Sequence, residues 1–212
     1  MARPCFAALV AATLLCLATP RALAAPPPPP PPSNVAPYIE LVTMGEGPAV
    51  FHRWGHAALC IIYEGDPQRS ECFNYGAAFP TSAAALGWDF LRGTAKFMVI
   101  LQRYDNMLNI YRGEDRSVWV QRLPFTPAQV DAMVRRLQND LREENRTYTY
   151  HHMWDNCATR LRDHINAVAG GALKKDGDKP IGHTYRDLAR RGLAGKPLMV
   201  LGTTLGFGRG LD

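Results

Sequence analysis

The sequence predicts an α+β domain in which an antiparallel sheet packs against helices, and three observations carry that expectation. Short apolar runs bounded by Gly, Pro, Asn and Asp read as strands. Two of these runs face each other across a turn, as a hairpin does. Other stretches place apolar residues at helical spacing behind capping residues. The 212 residues allow one ordinary domain once the ends are set aside.

Residues 1–25 stand apart from that domain. Arg3, an apolar run from Phe6 to Leu17 and the ending Ala22-Leu23-Ala24 have the form of a secretory signal peptide, with cleavage expected near Ala24 or Ala25. The run is shorter than the about 20 residues a membrane span needs. Leu15 is also larger than lipoprotein processing at Cys16 tolerates. The mature chain is therefore expected to be exported, to the periplasm or cell envelope. Seven prolines, Pro26 to Pro32, dominate a linker over 26–36. They predict a stiff polyproline II spacer of about 22 Å at roughly 3.1 Å per residue. The domain takes 37–212.

Within it, Tyr38 to Met44 reads as a strand, and His56 to Tyr63 as a stronger one. Glu64-Gly65-Asp66-Pro67 turns the chain back into Glu71 to Tyr75. Thr81 or Ser82 caps a short helix that stops at Gly93. Lys96 to Gln102 and Ser117 to Leu123 are two further strands. Thr126-Pro127-Ala128-Gln129 opens the clearest helix with a capping box. Val130, Met133, Val134, Leu137 and Leu141 then form a buried stripe, which is core and carries no chemistry. Thr147 to Tyr150 is extended. A second helix runs from about Cys157 to Val168 and stops at Gly170-Gly171. Thr184 caps a third over Tyr185 to Arg191. The tail from Gly202 to Gly210 has no Gly-Lys-Ser/Thr and so is no phosphate loop.

Charge and cysteine count narrow the function. Loss of Arg3 and Arg21 with the signal lowers the formal charge from +5 to +3. The remaining basic residues are scattered among acids, which argues against a nucleic-acid partner. The same balance is compatible with weak attraction to an anionic membrane surface. Cys60, Cys72 and Cys157 remain, so at least one cysteine has no partner within the chain. Cys60 and Cys72 lie on neighbouring strands, where they form either a disulfide or, in the plainer reading, two buried thiols.

Cys157 is left over, in the first turn of a helix that Asp155 or Asn156 can cap. Free N–H groups and the positive end of the helix dipole favour a thiolate there and can bind an oxyanion. Of six histidines, His56 is the best placed base, because Gly55-His56 opens a strand after a loop. Asn74, on the returning strand, can orient its ring. A Cys-His-Asn set results.

The segments Trp54-Gly55-His56-Ala57-Ala58-Leu59, Phe73-Asn74-Tyr75-Gly76, Arg116-Ser117-Val118, Asp155-Asn156-Cys157-Ala158-Thr159-Arg160-Leu161-Arg162-Asp163 and Thr184-Tyr185-Arg186-Asp187-Leu188 occur in this order. As a set they resemble the N-terminal periplasmic domain of Lnb-type lipoprotein N-acyltransferases, over about Tyr38 to Asp212. That family in turn resembles the circularly permuted branch of the NlpC/P60 papain-like superfamily, in which the histidine strand precedes the cysteine helix. The resemblance implies a permuted papain-like fold, Cys157 as nucleophile and His56 as base. Asn74 carries over less firmly, because that position varies in chemistry across the superfamily. It also implies an acyl lipid or lipoprotein substrate; no cofactor and no metal are expected. The family's acyltransferases carry membrane-spanning helices after this domain, which this sequence does not show, so transfer and hydrolysis both stay open.

Rival readings differ in substrate or chemistry. A cell-wall peptidase or amidase would keep the same site, and an envelope binding domain would keep only the fold. Zinc is disfavoured: His52 and His56 have i,i+4 spacing, but Arg53 stands where an HExxH motif has Glu. A serine hydrolase is disfavoured because no G-x-S-x-G elbow occurs.

Overall fold

Six strands pair antiparallel throughout: Tyr38–Met44 (β1), His56–Ile62 (β2), Glu71–Ala78 (β3), Lys96–Arg103 (β4), Val118–Arg122 (β5) and Thr147–Thr149 (β6). Their order across the open sheet is β5-β1-β2-β3-β4-β6. The computed structural model describes residues 35–48, 52–79, 81–177, 182–198 and 200–202. The expected signal peptide, proline spacer and nearly all of the glycine-rich tail lie outside the described residues.

The sheet is apolar on both faces, because neighbouring residues of each strand point to opposite sides. Ile39, Leu59, Ile61, Phe73, Tyr75, Phe97 and Val99 form one buried face. Pro127–Asp140 (α3) and Cys157–Val168 (α5) cover it with Val130, Met133, Leu137 and Leu161. The expected stripe is thus core, though Val134 and Leu141 reach it only partly buried. Val42, Met44, Ala58, Cys60, Ile62 and Cys72 form the other face, covered by Tyr104–Gly113 (α2) through Met107.

The sequence pattern did not predict α2. It follows β4 directly, Arg103 at its N-cap position makes no side-chain cap, and Met107 is its one buried residue. Glu143–Arg146 (α4) and Ala172–Gly177 (α6) were also unexpected, being too short to show a period. Ser82 rather than Thr81 caps Ala83–Leu91 (α1), accepting from the Ala85 N–H. Thr126 and Thr184 form the capping boxes of α3 and of Tyr185–Gly192 (α7).

Two corrections concern the hairpin. β3 runs three residues beyond Tyr75, because a bulge at Gly76 carries the pairing with β4 on to Ala78. Cys60 and Cys72 stand directly opposite each other and form a disulfide, not two thiols. Their Cα atoms are 4.0 Å apart, a close approach that follows from their direct pairing across β2 and β3.

Candidate active site

Cys157 is the first residue of α5, and Asn156 is the N-cap. The Asn156 side chain accepts from Thr159 N at 3.0 Å, and Thr159 Oγ1 accepts from Asn156 N at 2.8 Å. This reciprocal box leaves the N–H groups of Cys157 and Ala158 without intrahelical partners. Both approach the Cys157 sulfur, and so does the N–H of Ala57. Ala57 follows His56, so the start of the helix meets the start of β2. Cys157 is the free cysteine among the described residues and is partly buried.

His56 heads β2 after Gly55, whose φ of +73° and close packing demand glycine: a Cβ there would lie 2.5 Å from Met44 O. Asn74 Oδ1 accepts from His56 Nε2 at 3.1 Å. The Asn74 amide has its own supports, donating from Nδ2 to Gln102 Oε1 at 3.0 Å and to Cys72 O at 3.4 Å. A carbonyl can only accept, so Nδ2 faces Cys72 and Oδ1 faces the imidazole. The proton of His56 is thereby held on Nε2, and Nδ1 keeps its lone pair. No hydrogen bond joins the Cys157 sulfur to the His56 ring among the described residues.

The electrostatics differ from the expectation of a thiolate. Burial pushes the Cys157 thiol up, and the N–H groups of Ala57, Ala158 and Cys157 offset only part of this. Burial likewise lowers His56 to about 4; the Asn74 hydrogen bond opposes the shift, and the Arg116 and His52 charges add to it. Both shifts keep the proton on sulfur, so the resting pair is neutral thiol and neutral imidazole.

Three further residues complete the surroundings, and spacing alone gave no signal for them. Gln102 lies opposite Cys72 on β4 and fixes Asn74. Tyr111 of α2 stacks on His56, with ring centroids 6.5 Å apart. Arg116, 7% exposed, covers the Tyr111 ring at 4.7 Å and donates to Gly45 O at 2.9 and 2.7 Å. Its place in the motif Arg116-Ser117-Val118 could have pointed to it.

The other histidines have structural settings. His151 Nδ1 accepts from Met153 N and Trp154 N, which folds the turn before the helix. His152 meets the Trp54 ring edge-on at 4.6 Å. His164 Nε2 contacts Asp140 Oδ2 at 3.0 Å and Tyr75 Oη at 2.9 Å, while its Nδ1 accepts from Arg136 Nε at 3.3 Å. His52 lies in a turn and His56 on a strand, so no helical face joins them. No group of three or more His, Cys, Asp or Glu able to hold a metal ion occurs among the described residues.

The family model described as the Lnb N-terminal periplasmic domain matches residues 37–191. No curated protein and no solved structure matches the chain.

Proposed function

The chain belongs to the Lnb N-terminal periplasmic domain family, and on that footing we propose a thiol-dependent acyltransferase or hydrolase acting on envelope acyl substrates, lipoprotein or lipid. The periplasmic family makes it an exported envelope protein. One observation carries the chemistry: the Cys157 sulfur lies against the backbone amide of Ala57, the residue that follows a histidine whose Nε2 is occupied by Asn74.

Nδ1 of His56 takes the thiol proton as sulfur attacks the carbonyl carbon of an ester or amide. The S–C bond forms, and helix-start N–H groups receive the charge that develops on oxygen. The bond to the leaving group then breaks, and imidazolium returns its proton to that group. An amine or water attacks the resulting thioester and regenerates the thiol. A buried neutral pair suits this route, because the proton moves only once a substrate is in place.

The thiol's raised pKa favours a second reading, a non-catalytic envelope binding domain. The two separate in one experiment. The protein is incubated with a diacylglyceryl lipopeptide and with phosphatidylglycerol vesicles, and its intact mass is read. An acyl adduct on Cys157 that hydroxylamine removes and Cys157→Ala lacks is the expected outcome. Absence of any adduct, with cleavage of peptidoglycan fragments, would make the site a peptidase. Neither activity would leave a binding domain.

A further inference from the structure

We propose that the end of the sheet carrying Cys157 and His56 docks on an acidic phospholipid bilayer, through exposed tryptophans and the basic residues beside them. This surface goes beyond the acyl-transfer reading and does not depend on it.

The full chain has four tryptophans, Trp54, Trp88, Trp119 and Trp154, and they are 40% to 61% exposed. Tryptophan is highly buried on average, so four exposed ones call for a reason. Topology gathers them in one place. β2 begins at His56, and Trp54 lies two residues before it. Met44 of β1 pairs with both His56 and Val118, which puts Trp119 at the same end of β5. Trp154 lies three residues before Cys157, in the turn closed by His151 and Asp155. α1 carries Trp88 and joins the end of β3 to the start of β4, where Ala78 pairs with Phe97. Phe79, which leads out of β3, is the one exposed phenylalanine among the described residues.

α1 shows the character of this end most plainly. Leu86 and Phe90, one turn apart, pack against the core, and Phe90 meets the Tyr150 and His152 rings. Ala84 and Trp88 share the opposite face, exposed and uncharged. Asp89, the acid of this helix, already accepts from Thr94. A helix apolar on both faces is normally covered on both, yet here the outer face lies in solvent.

Charge decides between the occupants. Arg92 caps α1 with its guanidinium 5.9 Å from the Trp88 ring, and Lys96 starts β4. Arg190 and Arg191 precede Gly192 at the end of α7, where an added methyl would collide with the Trp54 ring. All four are exposed, and none forms an ion pair with a carboxylate among the described residues. Asp155 and Glu114 are taken up by Arg160 and Arg116, while the exposed Glu46 and Asp115 offset part of the basic charge. A second copy of the chain would set these basic residues against their like, whereas acidic headgroups attract them. Tryptophan suits that level too, with its ring at the acyl boundary and its N–H among the headgroups. Docked in this way, Cys157 and His56 face the lipid.

All four tryptophans lie at this surface, so the protein's own fluorescence tests it. The exported protein is titrated with vesicles of phosphatidylglycerol and phosphatidylcholine whose acyl chains carry bromine, which quenches tryptophan on contact. Quenching with a blue-shifted emission is expected. The lipid concentration for half quenching should rise about tenfold in Trp88→Ser. It should rise about as much in the double variant Arg92→Glu, Lys96→Glu, and for wild type in about 0.5 M salt. Cys157→Ala should be quenched like wild type, which separates docking from turnover; loss of quenching there would mean a covalent adduct and overturn the proposal. No quenching overturns it, as does a half point that neither variant moves. Equal quenching by vesicles of phosphatidylcholine alone removes the acidic lipid and overturns it too. Tryptophans shielded from acrylamide without vesicles, with a doubled mass in light scattering, give the face to a second copy instead. Quenching that persists while no acyl adduct forms leaves the docking standing and removes only the acyl-transfer reading.

Discussion

At the scale of single residues, burial and the helix start pull Cys157 in opposite directions. A helix N-terminus stabilises a thiolate by an amount that water screens readily, whereas desolvation acts on the whole charge. Burial wins at Cys157, and it lowers His56 to about 4 for the same reason. Two predictions follow from these directions. His56 stays unprotonated well below neutrality, so the acid limb of kcat/KM for acylation should fall near pH 4–5, not near 6.5. His56→Ala should lower that rate by about 10²–10⁴, and an acid limb left unmoved by the substitution would exclude His56 as base. The same shift is a stability statement. Below about pH 6.5 the unfolded chain takes up a proton, while the native ring does so only near 4. Stability therefore falls as pH drops through that window, by about 3 kcal/mol. Urea unfolding at pH 7 and pH 4.5 should show this loss in wild type and a smaller one in His56→Gln. Equal losses would mean that the native ring is not held neutral.

Elements place these residues, and their legibility differs by cause. Gly55 lets β1 and β2 approach closely just before His56. Gly55→Ala should cost at least about 2 kcal/mol through strain at positive φ and collision with Met44 O. At roughly 2–4 °C per kcal/mol, differential scanning calorimetry should record a Tm several degrees lower; an unchanged Tm would show that the turn adapts. Asn156→Ala should cost about 0.5–2 kcal/mol through loss of the α5 cap. It should also slow acylation further, because the same cap sets the position of Cys157. The caps of α3, α5 and α7 and the strands β1, β2 and β4 were legible in the sequence, since a capping box or an apolar run is a local signal. The helix α2 was not, because the sheet supplies the apolar partner that its own sequence barely announces. The pair His56 and Asn74 could be proposed from the hairpin, and their 3.1 Å contact bears out that the two are neighbours. Gln102, Tyr111 and Arg116 reach the site only through pairing and packing distant in sequence.

For the whole molecule, the sheet has to be rigid where its two cores meet the site. β2 and β3 lie at its centre and carry His56 and Asn74, and the disulfide ties them directly opposite each other. Asn74 is two residues from Cys72 and donates to its carbonyl, so the bridge also anchors the residue that orients the imidazole. Closing a loop of sequence separation 12 removes about 3 kcal/mol of freedom from the unfolded chain on the entropic account. Both sulfurs belong to buried residues, so the native state should resist reduction until the protein opens. Protein lacking residues 1–25 should therefore titrate with one thiol per chain under native conditions, and with one still after unfolding without reductant. After unfolding with reductant it should titrate with three. The double variant Cys60→Ala, Cys72→Ala should unfold at a lower urea midpoint and retain Cys157 alkylation, with acylation reduced in proportion to the looser hold on Asn74. Three thiols in the unreduced unfolded protein would show that the bridge does not form. An unchanged midpoint in the double variant would show instead that the sheet keeps this register without it.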